Sequence, residues 1–208
     1  MEIPKKSAMN KVYINSFYPL CYNKRGINAI KHYNLSPYID GSCRREPDFE
    51  HQLPCITGLC RPGFAEKLKE KDTVIYLTNK KGIGVRKIVA ILEVIIVCAN
   101  HQEAAKYYEQ QNWSLPNNLM VENNLPNPLE KTHFSRSPNI GERDFWYKER
   151  AWAPNSSKVA ICKVLYLNTE NPISFPKYIS KRKLTAQNPP VLMPEEYEKL
   201  YQYMNLNI

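Results

Sequence analysis

The pattern of hydrophobic residues along the chain predicts a sheet with several long strands. Residues 11–18 alternate around β-branched and aromatic side chains, as a strand does. Residues 73–78 (TVIYLT) are apolar on both faces, which is typical of a strand covered on both sides. Residues 86–98 are long enough for one strand that bends around a barrel corner, and residues 144–152 and 158–167 predict the closing strands.

Helical signals lie between these strands. Helices are predicted at residues 27–33 and in the lysine-rich segment 64–71, where Pro and Gly residues mark the boundaries. A further helix is predicted at residues 100–111, because Asn100 and Glu103 have the spacing of a capping box. Strands and helices together indicate an α+β fold.

Residues 1–208 are expected to form a single domain, because a chain of this length can bury one sizeable core. A Pro/Asn-rich insertion at about residues 112–140 is too long for a plain turn, which predicts a long ordered loop or lid. A C-terminal helix at about residues 194–204 should dock on the core. Its predicted apolar face consists of Tyr197, Leu200, Tyr201 and Met204.

The composition favours a polyanionic partner. The net charge is +9 and the pI is about 9.2, and neutralised phosphates release condensed counterions. The 14 tyrosines suit surfaces that stack on bases. Six cysteines, with no apolar signal region at the N-terminus, indicate reduced thiols and a cytoplasmic protein. No apolar run approaches the roughly 20 residues that span a bilayer, so no membrane partner is expected.

Polar residues of several chemical kinds are concentrated in residues 40–51, which we call the polar loop. A polar loop beside core strands is a typical place for a binding site. Arginine can donate two hydrogen bonds to a base edge or a phosphate, and a carboxylate can accept from an exocyclic amine. The alternative is a local salt-bridge network that orders the loop. The candidate base-binding residues are Ser42, Arg44, Arg45, Glu46, Asp48, Glu50, Thr57 and Arg61, with Trp146 and Trp152 as stacking partners.

Residues 57–78 and 87–97 together resemble the PUA-like superfamily, which holds the PUA, ASCH, EVE and YTH domains. The strand start Lys71-Asp72-Thr73-Val74 is similar to its "Gly-Asp-x-hydrophobic" signature, and Leu92-Glu93-Val94 is similar to its "x-Glu-Val" signature. Cys60-Arg61-Pro62 resembles the "Cys-Lys-Pro" segment of nucleotide-modification-associated domains. The resemblance implies a small β-barrel with flanking helices. Such a domain recognises a base, often a modified one, in DNA or RNA, with links to base modification or phage defence.

The favoured hypothesis is a nucleic-acid-binding domain that recognises a modified or flipped nucleobase in DNA or RNA. A basic tract near the C-terminus is expected to contact backbone phosphates, and its alternative role is to protect an edge strand by charge. The residues of this tract are Lys177, Lys181, Arg182 and Lys183.

A rival hypothesis is an enzyme that alters such a base. Asp40, Glu46 or Asp48 would be the general acid or base, and Cys60 the nucleophile. A third hypothesis is a structural or partner-binding subunit. No cofactor is expected, and no metal site, because the cysteines and histidines lack the paired spacings of zinc ligands.

Overall fold

The computed structural model describes residues 10–79, 84–134, 139–154, 157–176, 179 and 189–207. The strands of the described part are β1 (Val12–Phe17), β2 (Cys55–Ile56), β3 (Thr73–Thr78), β4 (Lys87–Cys98), β5 (Val159–Leu167) and β6 (Ile173–Ser174). Its α-helices are α1 (Lys24–Tyr33), α2 (His101–Gln110), α3 (Ile140–Trp152) and α4 (Pro194–Asn207). Short 3-10 turns lie at Leu20–Tyr22, Ala65–Lys67 and Leu129–Lys131.

The strands form a curled mixed sheet, a half-barrel, with the long strand β4 near its centre. The strand order is β1-β3-β4-β5-β2, and β6 also pairs with β4. β1 and β3 run parallel, whereas the other strand pairs are antiparallel. The pairing of β4 with β5 shifts register near Leu92 and Ile96, and such bulges bend a strand. The predicted α+β fold with a barrel-like sheet is confirmed at this level.

Both faces of the sheet are buried at β3, which explains the apolar residues on both sides of this strand. All residues of β3 are buried. Val74 and Tyr76 point into one core, and Ile75 and Leu77 belong to a second core on the opposite face. α4 covers the second core with Tyr197, Leu200 and Met204.

Residues 144–152 are helical, so the predicted strand is wrong. The side chain of Asn139 caps α3 by accepting a hydrogen bond from a backbone amide in the first turn. The buried residues Asp144, Tyr147 and Ala151 are three and four positions apart, as on one face of a helix. This periodicity outweighs the high β-propensity of the aromatic residues in the segment.

The predicted helix at residues 64–71 is also wrong, because only the 3-10 turn Ala65–Lys67 forms there. Leu68 is already extended, and Lys71 has a left-handed φ of 69°. The amide of Lys71 donates to the carbonyl of Val94 at 2.8 Å, which ties the segment to β4. A segment this short gains too few helical hydrogen bonds to offset the cost of nucleation.

Residues 111–134, which we call the connection, pack along the polar loop. The backbone amides of Asn127 and His133 donate to the carbonyls of Cys43 and Gly41 at 2.8 and 3.0 Å. Through these contacts the connection covers the polar loop and keeps its backbone groups hydrogen-bonded.

Candidate functional site

The polar loop is buried from residue 40 to residue 49. The guanidinium of Arg45 fills its interior and donates to the carbonyls of Asp40, Ser42 and Lys131 at 2.8, 3.2 and 3.1 Å. These hydrogen bonds satisfy backbone acceptors that burial would otherwise leave unpaired. Arg45 therefore orders the loop and does not line the cavity described below.

Arg44 joins three segments of the chain. Its Nε lies 2.6 Å from Oδ1 of Asp144 in α3, and its Nη1 donates to the carbonyls of Asn117 and Asn124 at 3.0 and 2.7 Å. Only 1% of Arg44 is exposed, and a charge this deeply buried needs such partners. The polar loop, the connection and α3 are thereby held in one arrangement.

Asp48 and Glu50 also take part in this network. Asp48 accepts from the amides of Glu50 and Asn117 at 3.1 and 2.8 Å. Glu50 is exposed and pairs with Arg45 at 3.0 Å. The cavity described below is therefore not lined by Arg44, Arg45, Asp48 or Glu50. The ion pairs of the salt-bridge alternative form at Arg44, Arg45 and Glu50, whereas Asp48 accepts hydrogen bonds from backbone amides.

A cavity of about 250 Å³, which we call the inner cavity, opens beside the polar loop near the end of β1. Its walls come from β1, the polar loop, the segment after β2, the connection and α3. It brings together the predicted residues Asp40, Ser42, Glu46, Thr57, Cys60 and Arg61. Its other walls are formed by Asn15, Ser16, Phe17, Tyr18, Phe64, Asn79, His133, Phe134 and Tyr147.

Asp40 offers the inner cavity a hydrogen-bond acceptor. Its Oδ1 accepts from the amide and hydroxyl of Ser42 at 2.9 and 2.5 Å and from the amide of Glu46 at 3.2 Å. Within the described part of the chain, Oδ2 has no hydrogen-bond partner. The residue as a whole is only 5% exposed, but Oδ2 is not one of the fully buried side-chain atoms that lack a partner, so it stays open to the cavity. Oδ2 can therefore accept a hydrogen bond from a ligand.

Glu46 is the second carboxyl of the inner cavity, and the protein itself occupies both of its oxygens. It accepts from the amide and hydroxyl of Thr57 at 2.8 and 2.5 Å and from Nδ2 of Asn118 at 2.8 Å. Burial raises the pKa of Glu46 to about 7 and outweighs the lowering by these hydrogen bonds. Near neutral pH the side chain is therefore close to half-protonated.

Arg61 brings a positive charge to the wall of the inner cavity. Its guanidinium donates to the carbonyl of Ser16 and lies 3.1 Å from the hydroxyl of the same residue. Burial lowers the pKa of Arg61 from its ordinary value. Among the described residues, no carboxylate lies within salt-bridge distance of this guanidinium. Its charge is therefore balanced by no ion pair within the described part of the chain.

Cys60 lies between the inner cavity and the surface. The residue as a whole is exposed, but its Sγ is 3.8 Å from the hydroxyl of Tyr147, inside the wall. Desolvation of the thiol, and then the nearby carboxyls of Asp40 and Glu46, raise the pKa of Cys60. A nucleophilic cysteine needs the opposite shift, toward thiolate. No disulfide bond joins any of the six cysteines, all of which lie in the described part of the chain.

A wider space of about 500 Å³, which we call the outer cleft, continues from the inner cavity to the surface. The two share Tyr18, Cys60, His133, Phe134 and Tyr147. The outer cleft adds Asn23, Arg143 and Trp146. The shared residues are mostly aromatic, so the entrance to the inner cavity is a ring of flat side chains.

His133 is held in this entrance by a close fit to the polar loop. A Cβ at position 41 would lie 2.2 Å from the His133 ring, so Gly41 is required for the contact. Nε2 of His133 lies 3.0 Å from the carbonyl of Tyr18 and donates to it. Burial lowers the pKa of His133, so the ring is neutral near pH 7, with its lone pair on Nδ1.

The remaining predicted residues lie elsewhere. Trp146 lines the outer cleft, whereas Trp152 is 63% exposed and lines neither space. The predicted phosphate-binding residues Lys177, Lys181, Arg182 and Lys183 lie outside the described residues.

Several lining residues were missed at the sequence level. Asn15 and Ser16 interrupt an otherwise apolar strand, and this break in the pattern is a usable signal for a site. His133, Phe134 and Tyr147 carry no such signal, because only the packing of the connection and α3 brings them to the polar loop.

Comparison with protein-family models, with curated proteins and with solved structures gives no match. Among the described residues, no group of three or more His, Cys, Asp or Glu side chains is placed to hold a metal ion. The described helices include none that is both long and apolar enough to cross a membrane.

Proposed function

We propose that the protein is a PUA-like domain that binds a nucleobase of DNA or RNA, modified or unmodified, in the inner cavity. The observation that carries this proposal is the open acceptor Oδ2 of Asp40 at a small polar cavity lined by Phe17 and Phe64. Proteins that take a base out of its stack read it by hydrogen bonds to its edge and by contact with aromatic faces. The cavity supplies both kinds of group.

The size and charge of the site support the same proposal. The inner cavity, at about 250 Å³, is slightly smaller than the roughly 300–1,000 Å³ typical of pockets for drug-sized ligands. Such a volume favours one base over a larger group. The net charge of +9 and the unpaired guanidinium of Arg61 favour a ligand that carries phosphates.

The test is binding of short single-stranded oligonucleotides that carry one natural or modified base in an otherwise abasic strand. The exocyclic amines of cytosine, adenine and guanine can donate to a carboxylate, whereas thymine and uracil present carbonyl oxygens in that position. We expect amino-bearing bases to bind more tightly than thymine or uracil. Absence of binding to every oligonucleotide at low salt would overturn the proposal in favour of a partner-binding subunit.

Asp40→Asn tests the acceptor directly. The Asn carbonyl can keep the three bonds made by Oδ1, while the amide replaces the open acceptor by a donor. We expect affinity for amino-bearing bases to fall about tenfold or more, and preference to shift toward thymine or uracil. Titration by fluorescence anisotropy measures both effects. Glu109→Gln, an exposed charge change on α2, should change neither. Unchanged preference in Asp40→Asn would contradict the role of Oδ2.

A second candidate function is base modification, and the observation that favours it is the pKa of Glu46 near 7. A group with this pKa can donate and accept protons at neutral pH. Mass spectrometry of the same oligonucleotides before and after incubation distinguishes the two functions. Turnover that Glu46→Gln abolishes, with binding retained, would favour an enzyme, whereas unchanged masses favour binding alone.

A further inference from the structure

We infer that the outer cleft binds a backbone phosphate next to the base in the inner cavity. This inference rests on the proposed function, since it assigns the second part of the same ligand. The two spaces are continuous through the shared residues Tyr18, His133 and Phe134. A nucleotide whose base enters the inner cavity must leave its sugar and phosphates on the outer side of this entrance.

Arg143 is the residue of the outer cleft best suited to a phosphate. Its guanidinium lies 4.2 Å from the ring centre of Phe134 and 5.8 Å from that of Trp146, which fixes its plane between two aromatic walls. Its Nε is buried and has no hydrogen-bond partner in the described part of the chain. A buried N–H without an acceptor is costly, so the guanidinium is not fully hydrogen-bonded, and its terminal Nη groups can donate to a phosphate oxygen in the cleft.

The charges around the outer cleft also favour an anion. Asn23 on its wall caps α1, whose first turn carries Lys24 and Arg25 and no acidic residue. Arg25 donates to the carbonyl of Phe134 at 2.7 Å, so a further cation lies next to this wall residue, although its own side chain lines a neighbouring space. Among the described residues, no salt bridge neutralises Arg25 or Arg143. A cleft lined by one sign of charge attracts the opposite sign.

Trp146 supplies a flat surface beside this cation. The guanidinium of Arg150 lies 3.7 Å from the Trp146 ring centre and donates to the carbonyl of Leu59 at 2.8 Å. Arg150 thus holds the indole from one side, and the indole is still 36% exposed. A phosphate at Arg143 would therefore lie next to a surface on which a sugar or a neighbouring base can pack.

The experiment replaces single phosphates by neutral methylphosphonates in the oligonucleotide that binds best in the base panel. One oligonucleotide is changed on the 5′ side of the recognised base, one on the 3′ side, and one several nucleotides away. We expect about tenfold weaker binding for one of the two adjacent changes and little effect of the distant one. Equal affinities for all three would overturn the inference and leave base recognition intact.

Arg143→Gln provides the matching change in the protein. We expect it to weaken binding of the unmodified oligonucleotide about tenfold and to lower the salt dependence of log K by about 0.7, the value for one phosphate of a single strand. The methylphosphonate that weakens binding to the wild type should cause no further loss of affinity in Arg143→Gln. Lys106→Gln, an exposed position on α2, is the control with the same change of charge. If Arg143→Gln alters the base preference but leaves the effect of the methylphosphonates unchanged, the assignment of the phosphate to the outer cleft is wrong. If Arg143→Gln removes the methylphosphonate effect but the protein shows no preference among bases, the proposed function is contradicted.

Discussion

Two buried carboxyl groups in one cavity have different roles because their hydrogen-bond partners differ. The contacts of Asp40 all fall on one oxygen, whereas Thr57 and Asn118 donate to both oxygens of Glu46. Asp40 thus keeps its second oxygen open to the inner cavity. Glu46 is arranged to join the polar loop to the segment after β2, at the cost of burying its charge.

The raised pKa of Glu46 predicts a pH dependence of stability. Between its ordinary value of 4.5 and its folded value of about 7, the folded protein binds more protons than the unfolded chain. The free energy of unfolding should therefore fall as pH rises through this window, by roughly 3 kcal/mol from this one group. Urea denaturation of the wild type and Glu46→Gln from pH 4.5 to 8 isolates its contribution.

Glu46→Gln does not titrate, so the stability of the wild type relative to the variant should be greatest at the acid end of the window. His133, with its lowered pKa, acts in the opposite direction but is present in both proteins. A stability difference between the wild type and Glu46→Gln that stays constant with pH, or grows toward pH 8, would contradict the raised pKa of Glu46.

At the scale of elements, the cavity exists because three separate segments are locked together. Arg44 connects the polar loop to the connection and, through Asp144, to α3. His133 fits against Gly41, so the connection closes over the loop. The inner cavity and outer cleft lie where these segments meet the end of β1.

Arg44→Met should destabilise the protein by about 3–5 kcal/mol, because it leaves the carboxylate of Asp144 buried without its main partner. Lys148, 3.3 Å from Asp144 but half-exposed, can only partly replace it.

The double variant Arg44→Met/Asp144→Leu should lose less stability than Arg44→Met, since no charge stays buried. Chemical denaturation of the wild type, the single variant and the double variant measures their free energies of unfolding. Lys148→Met, the control, should cost less than about 1 kcal/mol; a double variant less stable than the single one would contradict this account.

The sheet was largely predictable from sequence, because alternation and buried apolar runs are local signals. The predicted strands at residues 11–18, 73–78, 86–98 and 158–167 are confirmed within one or two residues. α3 was assigned wrongly because its aromatic content suits a strand, while its helical period is fixed by packing. Three residues of the polar loop, Asp40, Ser42 and Glu46, line the inner cavity. Sequence could not tell that Arg44 and Arg45 turn inward, since their carbonyl partners come from distant segments.

At the scale of the whole molecule, the charge of +9 and the inner cavity predict different kinds of binding. Binding through spread surface charge is sequence-independent and strongly salt-dependent. Capture of one base gives a preference that salt hardly changes, because base contacts specify while phosphate contacts position. Base preference and salt dependence can therefore be altered separately.

The triple variant Lys181→Gln/Arg182→Gln/Lys183→Gln tests this separation on the predicted basic tract. If each side chain neutralises one phosphate of a single strand, the slope of log K against log salt should fall by about 2. The preference for amino-bearing bases should remain, because we expect the open acceptor of Asp40 at the inner cavity to set it. Anisotropy titrations between about 50 and 200 mM salt give the slope and the preference together. An unchanged slope would show that the tract protects an edge strand instead, and a lost base preference would show that the inner cavity does not act alone.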